Sequence, residues 1–282
     1  MFQIVRSGEV SFLQAPKLLE FKFVTHAFCS RRDGVSQGAF ASLNMTAGHG
    51  DAKERVRKNW RILSRSFDMP ERSFFVMNQV HSDEVLVIRE NPPGQQSGGI
   101  PAGDACVTQL PEVALCIKTA DCVPVFLVDV HQRVIGAVHA GWGGTALQIT
   151  ARVVDVMVRE FQCRPADIRA AIGPSIGPCC YEVDSRVYLA MRDHHGAEHF
   201  FSPAGAPGKW TLDLPLANRY QLLGRGLASD NIELSGFCTV CRPDLFFSHR
   251  RDAGKTGRHV NFILLKGKKS QDKILLDITK GL

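Results

Sequence analysis

The stretch R-V-I-G-A-V-H-A-G-W-G-G, residues 133–144, decides how this chain is read. A run of strand-forming residues ends on a histidine, a glycine-rich turn follows, and residues 145–161 then carry an amphipathic helical pattern. A strand passing through a glycine turn into a helix marks an α/β layer. Gly141, Gly143 and Gly144 strip the turn of side chains, so a ligand can reach the backbone where the helix opens, a position that favours an anion. His139, at the end of the strand, is either a ligand-binding group or a histidine satisfied by hydrogen bonds.

Two further metal-ligand types stand near strand ends. His81 closes F-F-V-M-N-Q-V-H, whose pattern predicts a strand over 73–80. Cys122 lies in T-A-D-C-V-P, and Pro124 holds Val123 extended, which predicts a strand beginning just after the cysteine. Two imidazoles and a thiolate with one coordination position free are the donor set of a catalytic zinc. Cys122 can equally pair with His139 as a nucleophile, or be a small buried hydrophobe. Asp83, Glu84, Asp104 and Asp121 are acids that could orient an imidazole or serve as acid or base, and spacing does not choose among them.

Farther out, strand-like runs fall at 21–29, 84–88, 104–108, 113–118, 123–129, 134–139, 168–172, 231–237 and 258–265. Helical periodicity falls at 52–66, with Val56, Trp60 and Leu63 on one face, and at 184–193 and 214–228. The helix at 145–161 is expected to bury a stripe of Ala146, Ile149, Val153, Val156 and Val158. The elements do not alternate strictly as βαβ. The expected fold is therefore a single layered α/β domain, residues 1–282, of mixed β-sheets flanked by helices. The segment N-P-P-G-Q-Q-S-G-G-I-P-A-G, 91–103, reads as a mobile loop.

Composition narrows the function. With 44% hydrophobic residues the 282-residue chain can build a large core. The net charge of +6 is spread along the chain, with its densest run at Lys266 to Lys273, and reads as a solvated face rather than a nucleic-acid surface. An anionic small substrate suits the same charge. No signal peptide and no apolar stretch of the roughly 18 residues needed to span a membrane is visible. Nine cysteines, an odd and scattered set, argue against a disulfide framework and for a reducing, cytoplasmic setting.

Two other motifs invite readings. Cys238-x-x-Cys241 would need a second pair to make a zinc ribbon, and only Cys179–Cys180 remains, adjacent to one another and distant in sequence, so the spacing argues against that site. Arg250, Arg251, Lys255 and Arg258, set among glycines, are donors for a phosphate or a solvated basic loop. The G-K-T within them lacks the glycine a P-loop requires.

N-Q-V-H, T-A-D-C-V-P, V-H-A-G-W, G-P-S-I-G-P-C-C-Y-E-V, C-T-V-C-R-P-D-L-F-F-S-H-R-R-D and the early S-R-R-D-G-V-S-Q-G-A-F-A-S-L-N together resemble the YfiH-type family over about residues 26–264. That family was first described as multicopper polyphenol oxidase, or laccase. The resemblance implies a zinc-containing purine nucleoside phosphorylase acting on adenosine, inosine, guanosine and methylthioadenosine with phosphate, with adenosine deaminase activity as well. A link to peptidoglycan editing also belongs to the family. It implies a single layered α/β fold similar to a cysteine hydrolase-like toxin domain. By the family's motifs the zinc ligands, and so the catalytic centre, map onto His81, Cys122 and His139, with Arg31 and Asn44 as substrate contacts; Arg250, from the basic segment, joins them as a candidate substrate-binding residue. This chain departs from the family at Ser82, where glycine is usual, at Arg32-Asp33-Gly34, where L-G-G is usual, and at Gly143, where an arginine would add a cation beside the site.

Three rivals accompany this reading. A laccase needs about ten copper-binding histidines, many as H-x-H; this chain has ten histidines in all and no such pair, so copper is the weaker expectation. A metal-free Cys–His hydrolase would use Cys122 and His139. A non-enzymatic module would merely hold a nucleotide.

Overall fold

The computed structural model describes residues 2–48, 50–90 and 100–267. Most of the expected mobile loop, 91–99, and most of the basic run, from 268 on, lie outside the described residues.

Two six-stranded sheets stack face to face. The first runs, in spatial order, Gln3–Ser7, Val10–Gln14, Val24–Cys29, His259–Leu265, Ala114–Thr119 and Phe74–Val76. The second runs Ile232–Leu234, Ile168–Ile172, Val123–Asp129, Val134–Ala140, Ala105–Thr108 and Val85–Ile88. Both are mixed: Phe74–Val76 lies parallel to its neighbour in the first, and each edge strand of the second is parallel to the strand inside it. The expectation of mixed sheets with helices on their faces therefore holds.

The two-residue period of the strands builds the layers. Phe126, Val128, Ile135 and Ala137 face Leu13, Phe28, Leu115, Ile117 and Ile263 between the sheets. Phe28 and Phe126 stack there at 4.5 Å between centroids. Their alternates Val125, Leu127, Val134 and Val138 point the other way, under the helix Ile149–Phe161 and the helix Leu214–Gly224. The opposite face of the first sheet is covered by the helix Lys53–Ser66 through Leu63, Trp60 and Ile62. The order is thus helix, sheet, sheet, helix.

Several elements differ from the sequence reading. The helix expected at 145–161 is two helices, Trp142–Ala146 and Ile149–Phe161, because Gln148 adopts a left-handed conformation with φ of 61°. Its stripe excludes Val158, which is exposed: nine positions past Ile149, at about 100° each, it falls on the opposite face. The strand expected at 73–80 stops at Val76. Beyond it the Gln79 side chain both donates to Lys118 O and accepts from Lys118 N, each at 2.8 Å, so an amide side chain continues the ladder while the main chain turns away. The helix expected at 214–228 ends at Gly224, ahead of a left-handed Gly226. The N-terminal hairpin and the small sheet of Glu182–Asp184, Lys209–Leu212 and Phe201–Pro203 are built of strands too short to show a clear alternation in the sequence.

Candidate metal-binding active site

Several strand ends meet at one mouth of the sandwich. Register sets His139 beside Asp104, since Ala105 pairs with Val138, and His139 N donates to Asp104 O at 2.7 Å. His139 also faces Pro124, which places Cys122 just beyond the start of the neighbouring strand. His81 arrives from a loop rather than a strand end, at a left-handed φ of 61°. Such a backbone is sparsely populated for a side chain of this kind and needs support.

Asp104 supplies that support. One of its carboxylate oxygens accepts from His81 N at 3.0 Å, and the other from Val80 N at 3.1 Å and Ser82 N at 2.6 Å. Ser82 Oγ donates to it as well, at 2.8 Å. The same carboxylate accepts from His139 Nδ1 at 2.8 Å. One buried acid therefore fixes both the loop that carries His81 and the tautomer of His139, leaving the latter's Nε2 to face the mouth. Burial favours the protonated acid, but the bonds from His139 and Ser82 outweigh it and hold Asp104 well below the usual carboxylate range. Burial likewise opposes charge on His139, but the Cys122 sulfur and Asp104 raise its imidazole to about 9. His81 moves down, through burial and the neighbouring His139.

The donor atoms of His81, Cys122 and His139 lie within 4.8 Å of one another. Tetrahedral zinc with nitrogen and sulfur donors spaces them about 3.3–3.8 Å apart. Gly141 is needed here: a Cβ would sit 2.7 Å from His81 Nδ1 and 3.1 Å from Cys122 Sγ, inside the space the donors share.

A cleft of about 360 Å³ opens beside the three residues, lined also by Lys118, Trp142, Tyr181, His249, Arg250 and Arg258. A second hollow shares His81, Lys118, His139 and Arg258. Three cations and two aromatic rings thus border the cluster. Tyr181 is pushed far up by burial and by the charge of Cys122, so it keeps its phenolic proton at neutral pH. The larger hollow between Asp83, Arg152 and Arg225 is ionic surface and contains none of these groups.

Of the acids left open by spacing, Asp104 is the one bonded to a donor histidine, and Asp121 lines the cleft beside Cys122. Asp83 pairs with Arg152 at 2.8 Å on the surface. Asp121 is a clasp, accepting from Thr239 Oγ1 at 2.6 Å and from Arg250 N at 2.7 Å. Arg250 and Arg258 line the cleft, whereas Arg251 is turned inward onto Thr239 O and Phe246 O. Arg31 and Asn44 stand outside the lining. Arg31 donates to Ala41 O at 2.7 Å and lies over the Phe247 ring. Asn44 is buried and accepts from Arg258 N at 2.9 Å, so it steadies a cleft arginine instead of facing the cleft. Lys118, Trp142 and Tyr181 were not singled out. Tyr181 follows a cysteine pair in a loop and Lys118 ends a strand, and only the meeting of strand ends gives either a role.

Residues 25–266 match the family described as multi-copper polyphenol oxidoreductase laccase. The purine nucleoside phosphorylase YlmD of Geobacillus stearothermophilus is 38% identical over 242 residues, covering 83% of this chain and 87% of that protein. The protein of the same name from Bacillus subtilis is 37% identical over 249 residues, covering 87% and 90%. The crystal structure of the hypothetical protein YfiH of Bacillus licheniformis superposes with a TM-score of 0.86 at 34% identity, covering 94% of this chain and 99% of that one.

Proposed function

The chain belongs to the multi-copper polyphenol oxidoreductase laccase family, and on that premise we propose that it is a zinc-dependent purine nucleoside phosphorylase with adenosine deaminase as a side activity. The observation that carries the proposal is the placing of His81, Cys122 and His139 at the floor of a cleft bordered by Lys118, Arg250 and Arg258. The mixed nitrogen and sulfur set suits a zinc with an open position. A single copper held by two histidines and a cysteine normally adds a weak axial methionine, and no methionine lines the cleft among the described residues. Held by His81, Cys122 and His139, a zinc ion would supply Lewis acidity to the cleft.

The remaining chemistry falls to the chain. Phosphorolysis needs phosphate held against the anomeric carbon, and the three cations around the floor can hold that anion. Trp142 and Tyr181 give a purine and its ribose apolar walls. Tyr181 Oη, still protonated, can donate a hydrogen bond to the departing base. Asp104 keeps His139 in one tautomer throughout. Adenosine, inosine, guanosine and methylthioadenosine are the substrates proposed, within one domain working in the cytoplasm. Incubation of adenosine with and without phosphate tests the proposal: adenine and ribose 1-phosphate should form only with phosphate, inosine and ammonia more slowly without it. Neither product set appearing would overturn it.

One geometry favours a second reading. Cys122, His139 and Asp104 form a thiol–imidazole–carboxylate chain, the arrangement of a Cys–His hydrolase. A metal-free protein whose Cys122 is selectively alkylated with loss of activity would favour it.

A further inference from the structure

The pair Cys238-x-x-Cys241 does meet Cys179 and Cys180 in space, although 61 residues separate Cys180 from Cys241. The four sulfurs all lie within 4.8 Å of one another. Cys241 Sγ is 3.6 Å from Cys179 Sγ and 3.4 Å from Cys180 Sγ. Disulfide sulfurs sit about 2.0 Å apart, whereas the edges of a zinc tetrathiolate, with bonds of about 2.3 Å, are about 3.8 Å. The observed spacing matches the second.

The backbone also joins the two segments at the sulfurs. Cys238 Sγ accepts from Gly177 N at 3.3 Å, a main-chain donor two residues before Cys179. That bond ties the segment carrying the cysteine pair to the first sulfur of the C-x-x-C.

We propose that Cys179, Cys180, Cys238 and Cys241 bind a second zinc ion as a closed tetrathiolate, separate from the cleft, that staples the 175–181 segment to the 235–242 segment. On binding, the metal replaces the thiol protons, which leave to solvent, and no position stays free for substrate. The staple bears on the cleft through three residues. Ile176 and Tyr181 flank the cysteine pair and line the cleft wall. Thr239, between Cys238 and Cys241, donates to Asp121, the clasp beside Cys122. Its role is therefore to hold that wall, and it stands whether or not the cleft is a phosphorylase.

The test uses the full chain, produced with zinc and kept reduced. Elemental analysis should find two zinc ions per chain. The Cys238→Ser/Cys241→Ser variant should lose one, and Cys122→Ser should lose the other. Because the double variant can fail to fold, native wild-type protein is also alkylated with iodoacetamide and mapped by mass spectrometry. The four cysteines should be protected when loaded and labelled after a chelator. One zinc or none, with the four cysteines labelled freely or recovered as disulfides, would overturn the proposal. Cys122 is read separately in the same map, so failure of the cleft centre shows as a different missing ion.

Discussion

Two sulfur-bearing clusters stand among the described residues, and they are finished differently. His81, Cys122 and His139 offer three donors, with a cleft on the open side and Lys118, Arg250 and Arg258 around it. Cys179, Cys180, Cys238 and Cys241 offer four donors, and Cys238 also accepts from the Gly177 amide. A metal with three protein ligands retains a place for chemistry, whereas one with four is sealed. The difference extends to what braces each cluster. A buried carboxylate, Asp104, orients the first, while chain turns shape the second. On the reading proposed above, donor number, more than donor type, separates a site that acts from a site that holds.

The largest effect should come from breaking the open cluster alone. His139→Ala or Cys122→Ala should cut kcat/KM for adenosine phosphorolysis by about a thousandfold, the loss of several kcal/mol of charge stabilisation, while the four-cysteine cluster keeps its metal. Steady-state kinetics beside elemental analysis reads both at once, and loss of both metals would blur the distinction.

Acid provides a control that belongs to neither cluster. His26 accepts from Ala15 N and His259 from Phe247 N, and burial pushes them down to about 4 and about 3. Both are neutral when folded, so below the ordinary histidine value the unfolded chain binds more protons and stability falls as pH falls. The contribution is complete above about pH 6.5 and should drop by about 2 kcal/mol per histidine by pH 5. Denaturant unfolding at pH 7 and pH 5 should show this loss equally in protein stripped of metal. A loss seen only with metal bound would assign the acid sensitivity to the clusters.

Asp104→Asn keeps the shape and removes the charge. Zinc affinity at the open cluster should weaken tenfold to a hundredfold, measured by chelator competition, with the four-cysteine cluster unchanged. Arg250→Ala should act less: its backbone bond to Asp121 survives, and KM for phosphate should rise roughly tenfold with kcat nearly constant.

What could be seen in the sequence follows how local each signal is. The strands Val123–Asp129 and Ile168–Ile172 lie where apolar runs between turn residues put them. His139 and Cys122 were visible because a glycine turn and a proline mark their strand ends. Asp104 was one acid among four, since only the register of Ala105 against Val138 brings it to His139. Gln79 resembled strand, because a side-chain amide that imitates the ladder leaves no trace in periodicity. The four-cysteine cluster was argued against on spacing, as an adjacent pair and a C-x-x-C far away match no local pattern. Their meeting is decided by strand order, where Ser175 bridges Cys238.

Phosphorolysis of inosine by metal-loaded, chelator-stripped and zinc-restored protein tests the central claim most directly. Loaded protein should release hypoxanthine and ribose 1-phosphate, stripped protein should release almost none, and added zinc should restore the rate. Full activity in stripped protein, unchanged on adding zinc, would contradict it.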